Sequence, residues 1–313
     1  MELKRLGCVQ SKCDPALFYY KKNAQLCGLL VSHIDDFLHA GNDIFDSEIM
    51  DKLRNRFVAG KLVDSDFSYV GFRIIQDSQG VTLDQSDYVK KLNAGSIEPS
   101  RMVDKQSELT SKEYTLFRSI VGSMNWIVHG SRPDIVFDLI DLSMKFNKAT
   151  VEDLCRAMKI VRKLTEVSSK VRYPSLNADF KYWKIVAFTD ASLHNLSDKV
   201  SSTAGRVVFL RDGMNSSCTL SWKCNKIKRI VRSTLAAEAL SLQEGIEESL
   251  YLQTLIEELI NVKIPVSAYI DNKSTLDAIH STKFVDDKRL VVDIAAMKEE
   301  LQKKTCRIDI LAS

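Results

Sequence analysis

Three acids in the C-terminal half stand where chemistry would need them. Asp190 closes the apolar run "IVAF" and Asp271 closes "SAYI", so each carboxylate is expected where a buried strand opens to solvent. Between them lies "RSTLAAEALSLQEGIEESLYL", in which Leu235, Ala239, Leu242, Ile246 and Leu250 form one helical stripe and Glu238 stands beside it, one turn in. A helix laying that stripe on the sheet brings Glu238 towards the strand ends. Taken singly, these read as a strand-end acid, a solvated helix acid and a turn residue. Brought together from three elements, they repel one another unless cations occupy the space between. Hard divalent ions such as Mg²⁺ or Mn²⁺ prefer such oxygen ligands. Two of them, about 3.5–4 Å apart, would activate a water and stabilise the leaving oxygen in phosphodiester cleavage.

Two further features carry charge in a pattern. The strip "WKCNKIKRIVR" places Lys223, Lys226, Lys228, Arg229 and Arg232 just ahead of the Glu238 helix. It reads either as a surface that neutralises phosphates or as lysines guarding an edge strand. Near the N-terminus, Asp35 and Asp36 interrupt the strand-like run "LLVSHIDDFLHAG". Adjacent strand residues face opposite ways, so the pair marks either a turn or a metal site.

Positioning these groups requires an ordered set of elements. Residues 25–37 have a β pattern, and in "DIFDSEIMDKLRNRF" Ile44, Ile49, Leu53 and Phe57 recur near helical spacing. "SYVGFRII" and "VTLDQSDYV" are β-rich runs joined by "QDSQG", a hairpin signal. A polar stretch over 93–106 reads as a linker, and three helices follow, with Pro133 in the first turn of the second and Thr150 capping the third. From Tyr182 the order is three strands, helix, strand, helix, strand, which describes an α/β domain.

Composition sets the outer bounds. The 313 residues, 45% hydrophobic with a net charge of +3, suffice for two domains and a connector, and only local patches can argue for nucleic acid. Seven cysteines without a C-x-x-C pair or a nearby His-x₃₋₅-His read as reduced thiols of an intracellular protein, in cytosol or nucleus rather than secreted. No apolar run approaches a membrane span.

At these residues the chain resembles a known family. "AFTDAS", "STAGRVVFL", "LSWKCNKIKRIVRSTLAAEALSLQEGIEESLYL" and "AYIDNKSTLDAIHS" resemble, in order, the RNase H domain of copia-type LTR retrotransposon Pol polyproteins. "HIDDFLHAG" resembles that family's YVDD motif, "YVGFRI" and "GVTLDQSDYVKKL" the segment after it, and "YTLFRSIVGSMNWIVHGSRPDIVFDL" the helical connection. The resemblance implies an α/β (α+β) chain in three parts. Residues 1–92 are a truncated reverse transcriptase palm with the acid-pair hairpin, 93–178 a helical thumb or connection, and 179–313 an RNase H-like mixed five-stranded sheet with helices, truncated before its final helix.

By that resemblance Asp190, Glu238 and Asp271 are the catalytic, metal-binding carboxylates of an RNase H site holding two Mg²⁺ or Mn²⁺ ions, and Asn272 touches the RNA strand. Asp35 and Asp36 are the polymerase acid pair, with His33 where tyrosine is usual. No earlier palm acid is recognisable, since "KCDPALFYY" around Asp14 does not resemble that motif, so polymerisation by this chain alone is not expected. The family's fourth carboxylate has no counterpart, Asp309 lying within the last strand, and its histidine loop corresponds to "DDKRLVVDI", which has no histidine. The expected activity is metal-dependent cleavage of RNA in RNA–DNA hybrids. The alternative is a catalytically dead or co-opted remnant that binds nucleic acid through the basic strip. A transposase or integrase fits less well, because its acids run Asp, Asp, Glu and not Asp, Glu, Asp.

Overall fold

The computed structural model describes residues 2–57, 62–167, 169–281, 288–303 and 305–311. Its N-terminal part is a four-stranded antiparallel sheet of β1 (Val9–Gln10), β2 (Leu17–Lys22), β3 (Gln25–His33) and β4 (Asp36–Gly41), in sequential order. Ile34 and Asp35 make the turn between β3 and β4, with Ile34 at φ +51° and His33 opposite Asp36. A helix over 43–56 follows, interrupted by a π turn at Asp46–Met50 and capped by Asn42, whose side chain accepts from the Ile44 and Phe45 amides. Its Phe45, Ile49 and Leu53 pack on Phe18 and Leu30 as a separate core. Glycine is required here: a Cβ at Gly28 or Gly41 would lie 2.2 or 2.4 Å from the Phe45 side chain.

A second antiparallel sheet comprises β5 (Asp66–Tyr69), β6 (Phe72–Asp77), β7 (Gly80–Asp84) and β8 (Lys170–Pro174). The expected hairpin is present, but "VTLDQSDYV" is not one strand. β7 ends at Asp84, whose carboxylate accepts the Ser86 amide at 2.7 Å, and Ser86–Val89 turn into a short helix. β8 is not among the elements expected from sequence, because its polar–apolar alternation runs over only Lys170 to Tyr173 before Pro174. It is held by β7 and by the Arg172–Asp77 ion pair at 2.6 Å.

The three expected helices are α1 (Ser111–Gly130), α2 (Val136–Met144) and α3 (Val151–Glu166). Pro133 opens a 3₁₀ turn ahead of α2. Thr150 caps α3 in a reciprocal box: its hydroxyl accepts from the Asp153 amide, and the Asp153 carboxylate accepts from Thr150 N at 2.9 Å. Phe117, Met124, Ile127, Leu142, Leu154 and Leu164 form their shared core.

The C-terminal sheet contains β9 (Lys184–Ser192), β10 (Thr203–Arg211), β11 (Ser217–Lys226), β12 (Val266–Ile270) and β13 (Arg307–Ile310), in the spatial order β11-β10-β9-β12-β13. β9, β10 and β11 are antiparallel neighbours, and β12 runs parallel to both β9 and β13. One face is covered by α4 (Thr234–Ile260), whose Ala239, Leu242 and Ile246 meet Ile185, Ala187, Val208 and Ala268 in the largest core. This is the RNase H-like mixed five-stranded sheet with helices that the motif order implies. Two details differ from expectation. Two helices, α5 (Lys273–His280) and α6 (Lys288–Gln302), separate β12 from β13. From Lys288 onward "DDKRLVVDI" is therefore helix and not loop, because Leu290 and Ile294 bury at helical spacing; Asp286 and Asp287 lie outside the described residues.

Candidate metal centre

Asp190 sits two residues before the end of β9, which runs on to Ser192 because β10 pairs with it as far as Thr203. Asp271 follows the last residue of β12, the parallel neighbour of β9, so both strands deliver their acids to the same end of the sheet. Ser233 caps α4 by accepting from the Ala236 amide, which starts the helix beside those strand ends and buries Glu238 to 5% exposure. The ligand oxygens of Asp190, Glu238 and Asp271 all lie within 4.8 Å of one another.

Packing beneath the cluster is tight. Gly245 lets α4 approach β9, since a Cβ there would lie 2.4 Å from Thr189 Cγ2. The buried Ser241 hydroxyl lies 2.8 Å from the Asp190 carbonyl and 3.0 Å from that of Gly205, joining helix to sheet directly behind the acids. Ser241 is three residues after Glu238, on the same side of the helix; that spacing was the available sign of its role. The buried Arg206 binds Glu244 at 2.6 Å and also Glu248, so the acids on the next turns of α4 are neutralised, unlike Glu238.

Among the described residues none of the three acids has an ion-pair partner. Burial, reinforced by the Asp190 charge, pushes the Glu238 carboxyl up to about 7, against the opposing effect of the Ala191 amide. Asp190 is raised by burial and then by Asp271. Glu238 Oε1 accepts from Ala191 N at 3.3 Å, while Oε2 is buried with no hydrogen-bond partner among the described residues. A buried, orphaned oxygen between two further carboxylates fits a hard divalent cation.

A cleft of about 640 Å³ adjoins Asp190 and Asp271 on the face opposite α4. Phe188, Phe209, Trp222 and Tyr269 line it, with Phe188 stacked on Tyr269 at 5.4 Å, and Pro133 and Val136 of the connector also line it. Trp222 Nε1 donates to the Val128 carbonyl at 2.8 Å, fastening that connector to β11. Periodicity assigns residues to a face of their own element and gives no sign of this junction.

The remaining sequence-derived residues are distributed differently. Lys223 and Lys226 lie in β11, an edge strand, and Lys228, Arg229 and Arg232 in the loop before α4. Arg229 pairs with Asp293 of α6, and Lys226 lies 3.6 Å from Asp198, whereas Lys223, Lys228 and Arg232 are exposed and make no ion pair among the described residues. Asn272 caps α5, its Oδ1 accepting from Thr275 N at 2.9 Å. Asp35 and Asp36 are exposed at a hairpin tip and join no carboxylate cluster among the described residues. His33 meets Tyr69 edge-on at 6.5 Å, and Asp309 pairs with Arg307 at 2.8 Å.

No protein-family model matches the sequence. The chain is 25% identical over 320 residues to the retrovirus-related Pol polyprotein from transposon RE1 of Arabidopsis thaliana, covering 98% of this chain and 21% of that protein; transposon RE2 gives the same figures. It thus spans about a fifth of those polyproteins. The putative transposon Ty5-1 protein of Saccharomyces cerevisiae is 25% identical over 264 residues, 79% of this chain and 81% of that one. Among solved structures, LC11-RNase H1 isolated from compost is 18% identical over 41% of this chain and 84% of its own, with a TM-score of 0.31. A foamy viral protease–reverse transcriptase in complex with dsDNA is 14% identical over 91% of this chain and 55% of its own, with a TM-score of 0.21. Strand order and direction, not these low superpositions, carry the RNase H-like assignment. Along 98% of its length the chain is thus similar to retrotransposon Pol polyproteins, and its C-terminal sheet has the strand order and directions of an RNase H-like sheet.

Proposed function

We propose that the RNase H-like domain cleaves the RNA strand of RNA–DNA hybrids, using Mg²⁺ or Mn²⁺ held by Asp190, Glu238 and Asp271. The observation that carries this reading is the convergence of three carboxylates from three elements, with Glu238 Oε2 buried and unpartnered among them. Bound there, divalent ions supply an activated water and neutralise charge on the leaving oxygen. The protein's own part is to hold the acids in place: β9 and β12 fix the two aspartates by register, and α4 fixes Glu238 through Ala191 N and Ser241. Asn272, next to Asp271, spends its carbonyl oxygen on the α5 cap, which leaves the amide nitrogen to meet a 2′-hydroxyl of the RNA strand.

The parts of the chain follow the same descent in this reading. Residues 1–92 derive from a copia-type polymerase palm, 93–178 from the connection, and 179–313 from RNase H. Asp35 and Asp36 are a remnant of the polymerase pair and do not support synthesis, a reading supported by the lack of a third carboxylate beside them among the described residues. An intracellular setting is supported by the seven free cysteines. No helix among the described residues is long and apolar enough to cross a membrane.

A hybrid-cleavage assay in Mg²⁺ with wild type and Asp190→Asn tests the proposal; wild-type cutting that the substitution abolishes is expected. Binding without cutting is the second reading, favoured by the exposed cations Lys223, Lys228 and Arg232, which make no ion pair among the described residues. It predicts salt-dependent hybrid binding that Asp190→Asn leaves intact.

A further inference from the structure

The N-terminal sheet has its own apolar core, which leaves out the buried Leu17 and Tyr19 of β2, and a set of polar groups bonds the sheet to α4. Glu258, on the order of 30 Å along α4 from Glu238 at 1.5 Å per residue, is the centre of that contact. Its carboxylate accepts from Ser11 Oγ at 2.7 Å, from Lys12 N at 3.0 Å and from Tyr19 OH at 3.5 Å. Lys21 Nζ donates to the Glu258 carbonyl and to Asn261 Oδ1, each at 2.7 Å. Asn261, in the left-handed conformation that ends α4, donates through Nδ2 to the Ala24 carbonyl at 3.1 Å, and Tyr251 OH donates to the Cys13 carbonyl at 3.1 Å.

Water can replace each of these bonds once the surfaces part, so each adds only a small net stabilisation. A carboxylate shared by several donors is the exception, since charge-assisted bonds are roughly twice as strong as neutral ones. We propose that Glu258 is the pin of a detachable latch, whose release lets the N-terminal sheet leave α4 as a folded unit. The sheet carries the Asp35–Asp36 hairpin with it, and opening breaks the edge contact between His33 and Tyr69. No step involves the carboxylates at the other end of α4, so the latch and the cleavage reading stand or fall separately.

Hydrogen–deuterium exchange and small-angle scattering on the full chain test it, comparing wild type with Glu258→Ala and Lys21→Ala. In Glu258→Ala the Lys12 amide should exchange about tenfold faster or more and the radius of gyration should increase, while β2, β3 and the helix over 43–56 keep their protection. Lys21→Ala, which removes two hydrogen bonds and leaves the carboxylate, should show a smaller change in the same direction. Unchanged exchange at Lys12 in Glu258→Ala would overturn the latch. So would loss of protection in β2 and β3 together with Lys12, because the sheet would then unfold and not detach.

Discussion

The backbone amide of Ala191 donates to Glu238 Oε1 at 3.3 Å and ties the end of β9 to the first turns of α4, while the other oxygen of the same carboxylate is buried without a partner. Half of Glu238 is thus satisfied by the protein. The other half faces Asp190 and Asp271, and that asymmetry governs how the metal-free protein responds to pH.

With its carboxyl raised to about 7 by burial and by Asp190, Glu238 binds its proton more tightly in the folded than in the unfolded chain. Its stabilising contribution is complete below the ordinary carboxylate range and is lost as pH rises to about 7, with a ceiling of about 3 kcal/mol. In EDTA the melting temperature should therefore fall between about pH 5 and 8. Glu238→Gln should flatten that decline, and Mg²⁺ or Mn²⁺ should raise the wild-type melting temperature most at the alkaline end. Parallel pH profiles for wild type and Glu238→Gln would refute this account of the cluster.

Gly245 is expected to be intolerant of any side chain. A Cβ 2.4 Å from Thr189 Cγ2 forces α4 away from β9, and Gly245→Ala should cost about 1–3 kcal/mol in urea denaturation. Thr189→Ser on that background, which removes the clashing methyl, should recover part of the loss. A Gly245→Ala protein as stable as wild type would mean that the helix is not packed as described.

Arg206→Met should be more damaging than its distance from the acids suggests. The Arg206 side chain is 8% exposed and holds Glu244 and Glu248, and its loss strands Glu248 beside Ser221, with an expected cost of about 3 kcal/mol. Adding Glu248→Gln should reduce that cost. Equal stability of the single and double variants would count against the ion network.

The basic strip should separate into two functions. Lys228→Ala and Arg232→Ala are expected to weaken hybrid binding and to lower the salt slope by about 1 each in fluorescence anisotropy. Arg229→Ala should mainly lower stability, because Arg229 is engaged with Asp293. A salt slope unaffected by Lys228→Ala and Arg232→Ala together would remove the strip from the binding surface.

Local chemistry made much of this readable in sequence. Thr150 and Ser233 cap their helices as their residue types predict, and the stripe of Ala239, Leu242 and Ile246 rests on the sheet as its spacing requires. Asp190 and Asp271 stood out because each interrupts an apolar run where a strand ends, and Glu238 because it lies beside a helical apolar stripe, one turn in. What stayed hidden depends on contacts between distant segments. β8 has an alternation too short to stand out until it pairs with β7, the connector residues Pro133 and Val136 reach the cleft only through tertiary packing, and Glu258 looks like an ordinary acid on a helix until the N-terminal sheet lies against it. Pairing of Arg229 and Lys226 likewise subtracts from a basic run whose charges look equal in sequence.

The most direct measurement is single-turnover cleavage of a labelled RNA–DNA hybrid by the full chain, with Mg²⁺ or Mn²⁺ titrated and Asp190→Asn and Glu238→Gln as controls. The metal-centre account predicts cutting of the RNA strand that depends on the divalent ion and that either substitution reduces by two orders of magnitude or more, on the order of 3 kcal/mol in barrier. Hybrid binding without cleavage at any ion concentration, or cleavage unaffected by both substitutions, would contradict it.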